Sequence, residues 1–326
     1  MNLRISSAVF LLLAAGAGQL AAQNPGAMDQ VNSVQQRRQL DASTHFKEGD
    51  SAPDIYPGES SDTGPQSVLL IKPRRTLVEG VLDSQYFYTD NAYLERDTHK
   101  PSGVLVSTAQ VALAPSPYDL FGGESTPRIG FRQQWYDFLE YKTHTPDYNQ
   151  ADFNIQTIFA DERWARGNWV FGVGFDFNRL LTQTTYRQFY EEYVPRWEVM
   201  RIFPLAEKHA ASVSYQGYWH WSHAPNLFQP HSNFYDRLDS ELLATYNFTP
   251  CRFAVFQPYV SFKQTHFTTL PREDYVYSAG LAFYCMINDW VSVRPFISYD
   301  RKFSSTHQDG YARFTGGGGV NLTVRF

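Results

Sequence analysis

The amino-acid sequence predicts an all-β protein: a transmembrane, antiparallel, up-and-down β-barrel of about twelve strands. Residues 76–326 alternate between apolar and polar side chains with the period of two that is typical of β-strands. The alternating segments run for roughly ten to fourteen residues, close to the ~9 to 11 residues that a tilted strand needs to cross a bilayer. No stretch of the sequence is long and apolar enough for a spanning helix, and only helices and closed barrels satisfy every backbone polar group in lipid.

The composition agrees with a surface that alternates between apolar and polar side chains. Aromatic residues make up 16% of the chain, charged residues only 19%, and the mean hydropathy is −0.41. The formal net charge of −5 is small for 326 residues and no basic block is present, so we do not expect a nucleic-acid partner.

Residues 1–22 have the pattern of a secretory signal peptide. Arg4 supplies a positive charge, residues 8–18 form a short apolar run, and small residues at Ala21 and Ala22 offer a cleavage point. A membrane anchor is the weaker interpretation, because the run is shorter than the ~18 to 20 apolar residues that span a bilayer. No cysteine follows the cleavage region, which argues against a lipid-anchored lipoprotein.

Residues 23–75 are poor in apolar side chains and rich in Gln, Ser, Asp, Gly and Pro, as in "SAPDIYPGESSDTGPQ". Such a segment buries too little surface to order itself, so we expect a disordered periplasmic extension. The short apolar cluster Val68–Ile71 is the one stretch that we expect to dock on another surface, such as the barrel.

The segment "NWVFGVGFDFN" illustrates the alternation in the barrel region. One face is apolar and aromatic, while the opposite face carries Asp176 and Asn178. The segments "ASVSYQGYWHW" and "WVSVRPFISYDRK" repeat this pattern. A soluble β-sandwich also alternates, but charged residues would be costly in its core and are natural in a wet lumen. Aromatic residues near the segment ends also favour the membrane barrel, whose girdles they would form.

The strand count is about twelve, and the connectors allow ten or fourteen. The candidate strands are 77–94, 103–114, 128–141, 152–163, 168–180, 186–203, 210–222, 236–248, 252–265, 274–285, 290–303 and 312–326. Connectors after even-numbered strands are mostly tight, and those after odd-numbered strands are mostly longer and polar, as in a bacterial barrel with both chain ends inside. One connector, "SPYDLFGGESTP", is long where a tight turn is expected.

The chain ends on "GGGGVNLTVRF", in which Val320, Leu322, Val324 and Phe326 alternate with polar residues. This ending resembles the carboxyl-terminal strand signature of Gram-negative outer-membrane β-barrel proteins. The resemblance implies an outer-membrane location, contact with membrane lipid and lipopolysaccharide, and recognition of the last strand by the barrel-assembly machinery. The glycines before it allow a close approach or a sharp bend where the sheet closes.

Two cysteines, Cys251 and Cys285, are candidates for a disulfide. The strand count places the first at the start of one strand and the second at the end of the next, within bridging reach in an oxidising compartment. The alternative is two separate thiols, because the register between strands cannot be derived from the sequence.

The polar residues predicted to face the lumen are the remaining functional candidates. They are Arg132, Gln134, Gln156, Asp176, Gln216, His220, Asp239, Glu241, Lys263, Arg294, Asp300 and Arg325. Mixed charge on facing walls can set the selectivity of a pore, or it can form a locked network that plugs a narrow barrel. Eight strands leave little room beyond side chains and sixteen leave a channel, so about twelve strands are compatible with both.

The leading functional hypothesis is a narrow, porin-like channel for ions or small polar solutes, with no cofactor, metal or catalytic residue. A second hypothesis is a non-conducting structural or adhesive barrel, which the long aromatic loop between Ser222 and Asp236 would serve.

A third hypothesis is a lipid hydrolase, since His231 to Asn233 and His220 to Ser222 are weakly similar to the His–Ser–Asn triad of the outer-membrane phospholipase family. Phe234 stands where that family has a glycine, and the spacing between His and Ser is too short.

Overall fold

The computed structural model describes residues 31, 34, 77–97, 99–139, 152–183, 185–223, 233, 235–251, 253–288, 290–306 and 309–325. The predicted signal peptide and all but two residues of the N-terminal segment therefore lie outside the described residues. The strands are β1 Val78–Thr89, β2 Ser102–Leu113, β3 Tyr118–Leu120, β4 Gly123–Phe138, β5 Phe153–Arg166, β6 Trp169–Thr182, β7 Gln188–Ala206, β8 His209–His223, β9 Arg237–Cys251, β10 Ala254–Phe267, β11 Glu273–Met286, β12 Val291–Ser304 and β13 Tyr311–Arg325. Among the described residues no helix is long and apolar enough to span a membrane.

Twelve of these strands form a closed antiparallel ring, which confirms the predicted fold class. The strands from β4 to β13 pair in sequence order, β13 pairs with β1, β1 with β2, and β2 with β4. Among the described strands, β3 pairs with β4 alone and is not part of the ring. All described pairings are antiparallel, and the barrel has no open edge where β2 meets β4.

Strand β3 explains the one connector that is longer than a tight turn. Tyr118–Leu120 folds back on the first residues of β4, through a turn at Phe121 and Gly122 with positive φ angles of 53° and 74°. β2 pairs with β4 only as far as Ile129, so the beginning of β4 extends past its ring neighbour and is covered by β3 instead. The small hairpin is an addition to one turn and leaves the strand count of the ring unchanged.

The two ends of the barrel differ in their connectors, as the sequence predicts. The connectors after β5, β7, β9 and β11 are two to four residues long, and we call this end of the barrel the turn end. The connectors after β1, β4, β6, β8, β10 and β12 are five to fourteen residues long and define the loop end. β1 starts at the turn end and β13 finishes there, as an even number of ring strands requires.

The outer face of the ring is apolar and rich in aromatic residues. On β6, Trp169 is 40% exposed and Val173 60%, whereas Val170 between them is only 4% exposed. The same belt continues around the barrel through Leu82, Tyr86, Val111, Ile129, Phe131, Ile158, Phe175, Val213, Tyr215, Trp219, Leu242, Val260, Tyr277, Leu281, Ile297, Tyr299, Phe314 and Val320. An exposed apolar surface of this extent suits lipid and would be an aggregation hazard in water.

Closure of the ring depends on the glycines of β13. Gly317 is in register with Phe87 of β1 on one side and Phe296 of β12 on the other. The centroids of these two phenyl rings are 6.2 Å apart. A Cβ atom at Gly317 would overlap the carbonyl oxygen of Tyr86 and the backbone of Phe87. The strand that closes the barrel therefore needs a residue without a side chain at this position. Phe326 and the side chain of Arg325 lie outside the described residues.

The two cysteines are free in the structure, which favours the alternative of two separate thiols over the candidate disulfide. Cys251 of β9 and Cys285 of β11 are both in register with Ala254, on opposite sides of β10. Neighbouring strands are ~4.8 Å apart, so the two cysteines are separated by about 10 Å, beyond the ~4.4 to 6.8 Å between Cα atoms in a disulfide. The strand count from the sequence predicts that Cys251 starts the strand next to that of Cys285. In the structure Cys251 instead ends β9, and β10 lies between the two cysteines.

We predict that both cysteines titrate as thiols in the unreduced, denatured protein. Replacing either with serine should change the free energy of unfolding by no more than about 0.5 kcal/mol, since neither makes a cross-link. Thiol titration and urea unfolding in detergent check this. A disulfide would be revealed by the absence of free thiols and a loss of ~3 kcal/mol in either variant.

We further predict that Gly317→Ala destabilises the barrel by ~1 to 3 kcal/mol, because the new methyl group must displace the backbone of β1. The matched control is Gly318→Ala, whose Cβ would meet its nearest atom at 3.6 Å, an ordinary contact. Urea unfolding and the heat-dependent shift in gel mobility measure the difference. Equal stability of the two variants would contradict the proposed close approach.

Candidate functional site in the barrel lumen

Most of the residues predicted to line the lumen are on the inner face of the ring. The buried ones are Gln134, Asp176, Gln216, His220, Asp239, Glu241, Arg294 and Asp300. Arg132 and Lys263 are half-buried and alternate in phase with the buried Gln134 and Ser261. Gln156 differs, because it lies between the buried Ile155 and Thr157 and therefore on the outward side of β5.

One polar network in the lumen is centred on Glu192 of β7, which has no exposed surface. The hydroxyl of Tyr190 donates a hydrogen bond to Glu192 Oε2 at 2.8 Å, and Asn178 Nδ2 of β6 donates to Oε1 at 2.9 Å. His220 Nδ1 of β8 lies 2.9 Å from Oε2. Both oxygens of the carboxylate are therefore held by partners from three strands, as a buried charge requires.

This network continues along the wall from His220 to β9 and β10. His220 Nε2 is 3.4 Å from Asp239 Oδ2, and Asp239 Oδ1 is 3.5 Å from Arg237 Nε. Lys263 Nζ of β10 is 3.9 Å from Asp239 Oδ2. Acidic and basic groups thus alternate from β7 to β10, and each of these five side chains has an opposite charge within 4 Å.

A further network lies nearer the turn end. The carboxylate of Asp161 is shared between Arg128 Nε at 2.9 Å and Arg196 Nη2 at 3.1 Å. Arg196 Nε also lies 3.3 Å from Asp176 Oδ1. The side chain of Arg128 is 34% exposed, whereas that of Glu192 is 0% exposed. The lumen is therefore more open to solvent near the turn end than at the level of Glu192.

An apolar cluster accompanies these networks inside the barrel. It is formed mainly by inward-facing residues in the loop-end half: Phe87, Val104, Val106, Tyr136, Phe138, Phe153, Ile155, Leu180 and Tyr190. Val255, Ala282, Tyr284 and Phe296 extend it toward the turn end. The polar residues of the lumen thus share its wall with a contiguous apolar surface, which the sequence analysis does not predict.

Two residues of the N-terminal segment belong to this apolar cluster. Val31 and Val34 are in α-helical conformation, and both have 0% exposed surface. The other residues of the predicted disordered extension, 23–75, lie outside the described residues, so that expectation stays a prediction. Val68–Ile71, which we expected to dock, lies outside the described residues.

The described part of the hydrolase candidate is engaged in other contacts. His220 is bracketed by the carboxylates of Glu192 and Asp239, and the Ser222 hydroxyl donates to Asp236 Oδ1 at 2.9 Å. Nucleophilic catalysis requires the hydroxyl to donate to the histidine instead. Of the stretch from His231 to Asn233 only Asn233 is described. The described residues contain no group of His, Cys, Asp and Glu that could hold a metal ion.

Sequence reasoning missed several members of these networks, among them Glu192, Arg237, Asp161 and Arg196. A usable signal was present in the strand phase. In "FYEEYVPRWEV", Glu192 and Arg196 alternate in step with Tyr190 and Val194, and all four are at inner-face positions. Extending the phase of each strand to its full length would have placed these charged residues in the lumen.

No protein-family model matches the sequence, and no curated protein matches it. Among solved structures, the COG4313 outer membrane channel from Pseudomonas putida F1 is similar over 82% of this chain and 100% of its own, with 9% identity and a TM-score of 0.50. The transport unit of the autotransporter AIDA-I from Escherichia coli covers 78% of this chain and 94% of its own, with 10% identity and a TM-score of 0.44. The KdgM porin in complex with disordered oligogalacturonate covers 74% and 98%, with 9% identity and a TM-score of 0.38. The chain thus has the fold of an outer-membrane β-barrel protein.

Proposed function

We propose that this protein is a narrow channel for ions or small polar solutes in the outer membrane of a Gram-negative bacterium. The observation that carries the proposal is the set of charged networks on the inner face of the ring, among them those around Glu192 and Asp161, which use both signs of charge. Burying so many ionised groups is costly unless they meet partners and water. Charged side chains that line a lumen also give a pore its selectivity.

The part of the wall around Asp161 is the best candidate for contact with a passing solute. Arg128 of β4 and Arg196 of β7 hold this carboxylate from opposite sides along the wall, and their side chains are 34% and 21% exposed. Arg163, 30% exposed, pairs with Glu198 at 3.3 Å on the same side of the lumen. An ion that enters from the turn end would meet these groups first.

The proposal includes the orientation of the barrel and the partners that such a barrel needs. Tight turns at one end and longer connectors at the other are the pattern of bacterial barrels, whose turns face the periplasm. A cleaved signal peptide at residues 1–22 would deliver the chain, and the assembly machinery would recognise β13. The aromatic outer belt would contact membrane lipid, with lipopolysaccharide around the loop end.

We predict that Asp161→Asn shifts the ion selectivity of the channel toward anions. The substitution removes the negative charge between two guanidinium groups and leaves their charge facing the lumen. Arg196→Gln should shift selectivity in the opposite direction, because it leaves Asp161 and Asp176 with less positive charge. Reversal potentials across planar bilayers under a salt gradient measure both effects.

The matched control is Glu162→Gln, the neighbouring acidic residue on the other face of β5. Its carboxylate accepts hydrogen bonds from Ser125 and Tyr118 and does not face the lumen. We expect its selectivity to equal that of the wild type. A correctly folded barrel that conducts no ions in any variant, including one without its N-terminal segment, would overturn the proposed function.

A further inference from the structure

The charged side chains near the turn end are arranged so that positive groups face the lumen. Arg128, Arg163 and Arg196 lie on the inner faces of β4, β5 and β7, and we call these three residues the arginine face. Their side chains are 34%, 30% and 21% exposed, whereas their partners Asp161 and Glu198 are 4% and 15% exposed. A solute in the lumen therefore reaches the guanidinium groups first, because the carboxylates lie behind them.

The strand register brings the three arginines into one patch of the wall. Arg128 is directly opposite Asp161, and Arg128 Nε and Arg196 Nη2 contact the two oxygens of that carboxylate at 2.9 and 3.1 Å. A single carboxylate thus separates two guanidinium groups. Arg163 lies two residues from Asp161 on β5, so its side chain points to the same side, ~7 Å nearer the turn end.

Gly174 of β6 allows Arg196 to reach across a whole strand. Gly174 is in register with Asp161 on one side and with Arg196 on the other. A Cβ atom at Gly174 would lie 2.8 Å from Cζ of Arg196 and 3.0 Å from its Nε, which is closer than real side chains approach. The guanidinium group of Arg196 therefore passes over the bare backbone of Gly174 and stays close to the wall.

The arginine face has more hydrogen-bond donors than its carboxylate partners use. A guanidinium group carries five N–H donors and no acceptor. In its contacts with described residues Arg163 uses only Nη2, 3.3 Å from Glu198, and Arg196 uses Nε and Nη2. The remaining N–H groups can donate to a solute. Two N–H groups of one guanidinium fit the two oxygens of a carboxylate, a match that chloride and cations cannot make.

We propose that the solutes of this channel are small carboxylates, which bind at the arginine face as they pass. The inference rests on the proposed function for transport, whereas binding at the arginine face does not require conduction. A carboxylate in contact with a guanidinium group is farther from the buried Asp161 and Glu198, so attraction exceeds repulsion. These two acidic residues hold the arginines in place and offset the repulsion between their charges.

The first test measures binding without conduction. Phenylglyoxal modifies accessible guanidinium groups, and mass spectrometry gives the rate at each arginine of the full mature chain in detergent. We expect acetate to slow the modification of Arg163 at least twofold relative to chloride at equal ionic strength. The matched control is Arg201, which lies on the outer face over the Trp169 ring and should react equally fast in both salts.

The second test measures selectivity from reversal potentials in planar bilayers under gradients of potassium acetate and potassium chloride. Arg163→Gln should lower the permeability of acetate relative to potassium at least threefold. Arg163→Lys keeps the charge but not the planar fork, so it should keep the chloride permeability and lose the preference for acetate over chloride. Arg201→Gln, on the outer face, should behave like the wild type.

The two tests together separate the carboxylate site from the channel. Protection of Arg163 in a barrel that conducts no ions would support the site and overturn the channel. Conduction without protection of Arg163 would overturn the site and leave the channel standing, whatever the permeability ratio of Arg163→Gln. Protection with an unchanged permeability ratio in Arg163→Gln would overturn the claim that this site selects the solute.

Discussion

The hydrogen bonding between β1 and β13 is the interaction on which the rest of the structure depends. In lipid no water can satisfy an unpaired backbone group, so a sheet survives there only if its first and last strands pair. Eleven residues of β1, from Glu79 to Thr89, are matched in register with β13. Gly317 permits this match at the point where Phe87 and Phe296 meet over the strand. Without closure, the apolar outer belt and the charged inner face could not be kept in separate environments.

The inner face combines two surfaces with opposite requirements. Charged groups need partners because an isolated buried charge is expensive, and the networks around Glu192 and Asp161 supply them. The apolar patch needs cover from water, and Val31 and Val34 are the described residues of the N-terminal segment that lie within it. The described residues therefore meet both requirements through contacts within the chain itself.

The strand pattern could be predicted from the sequence because it is local, while the failures involve contacts between distant segments. Period-two alternation was enough to identify β6, β8 and β12 and to assign their apolar faces outward. Gln156 was assigned to the lumen because it is polar, but the inner face of β5 near the loop end is apolar, so polarity gave the wrong side. Cys251 was placed one strand away from its position because a shift of one residue at a tight turn moves it across about 5 Å of sheet. The burial of Val31 and Val34 depends on a cluster assembled from many strands, and their polar sequence context gives no sign of it.

The pairing of β1 with β13 can be measured directly by cross-linking. Leu82 and Leu322 are register partners, and Cα atoms directly opposite each other are ~4.5 to 5.5 Å apart, within reach of a disulfide. Cysteines at these two positions, in a chain without its native cysteines, should form a disulfide in the folded protein under mild oxidation. Cysteines at Leu82 and Val320, two residues out of register and ~7 to 8 Å apart, should not. Efficient cross-linking of the second pair, or of neither, would contradict the closed barrel described here.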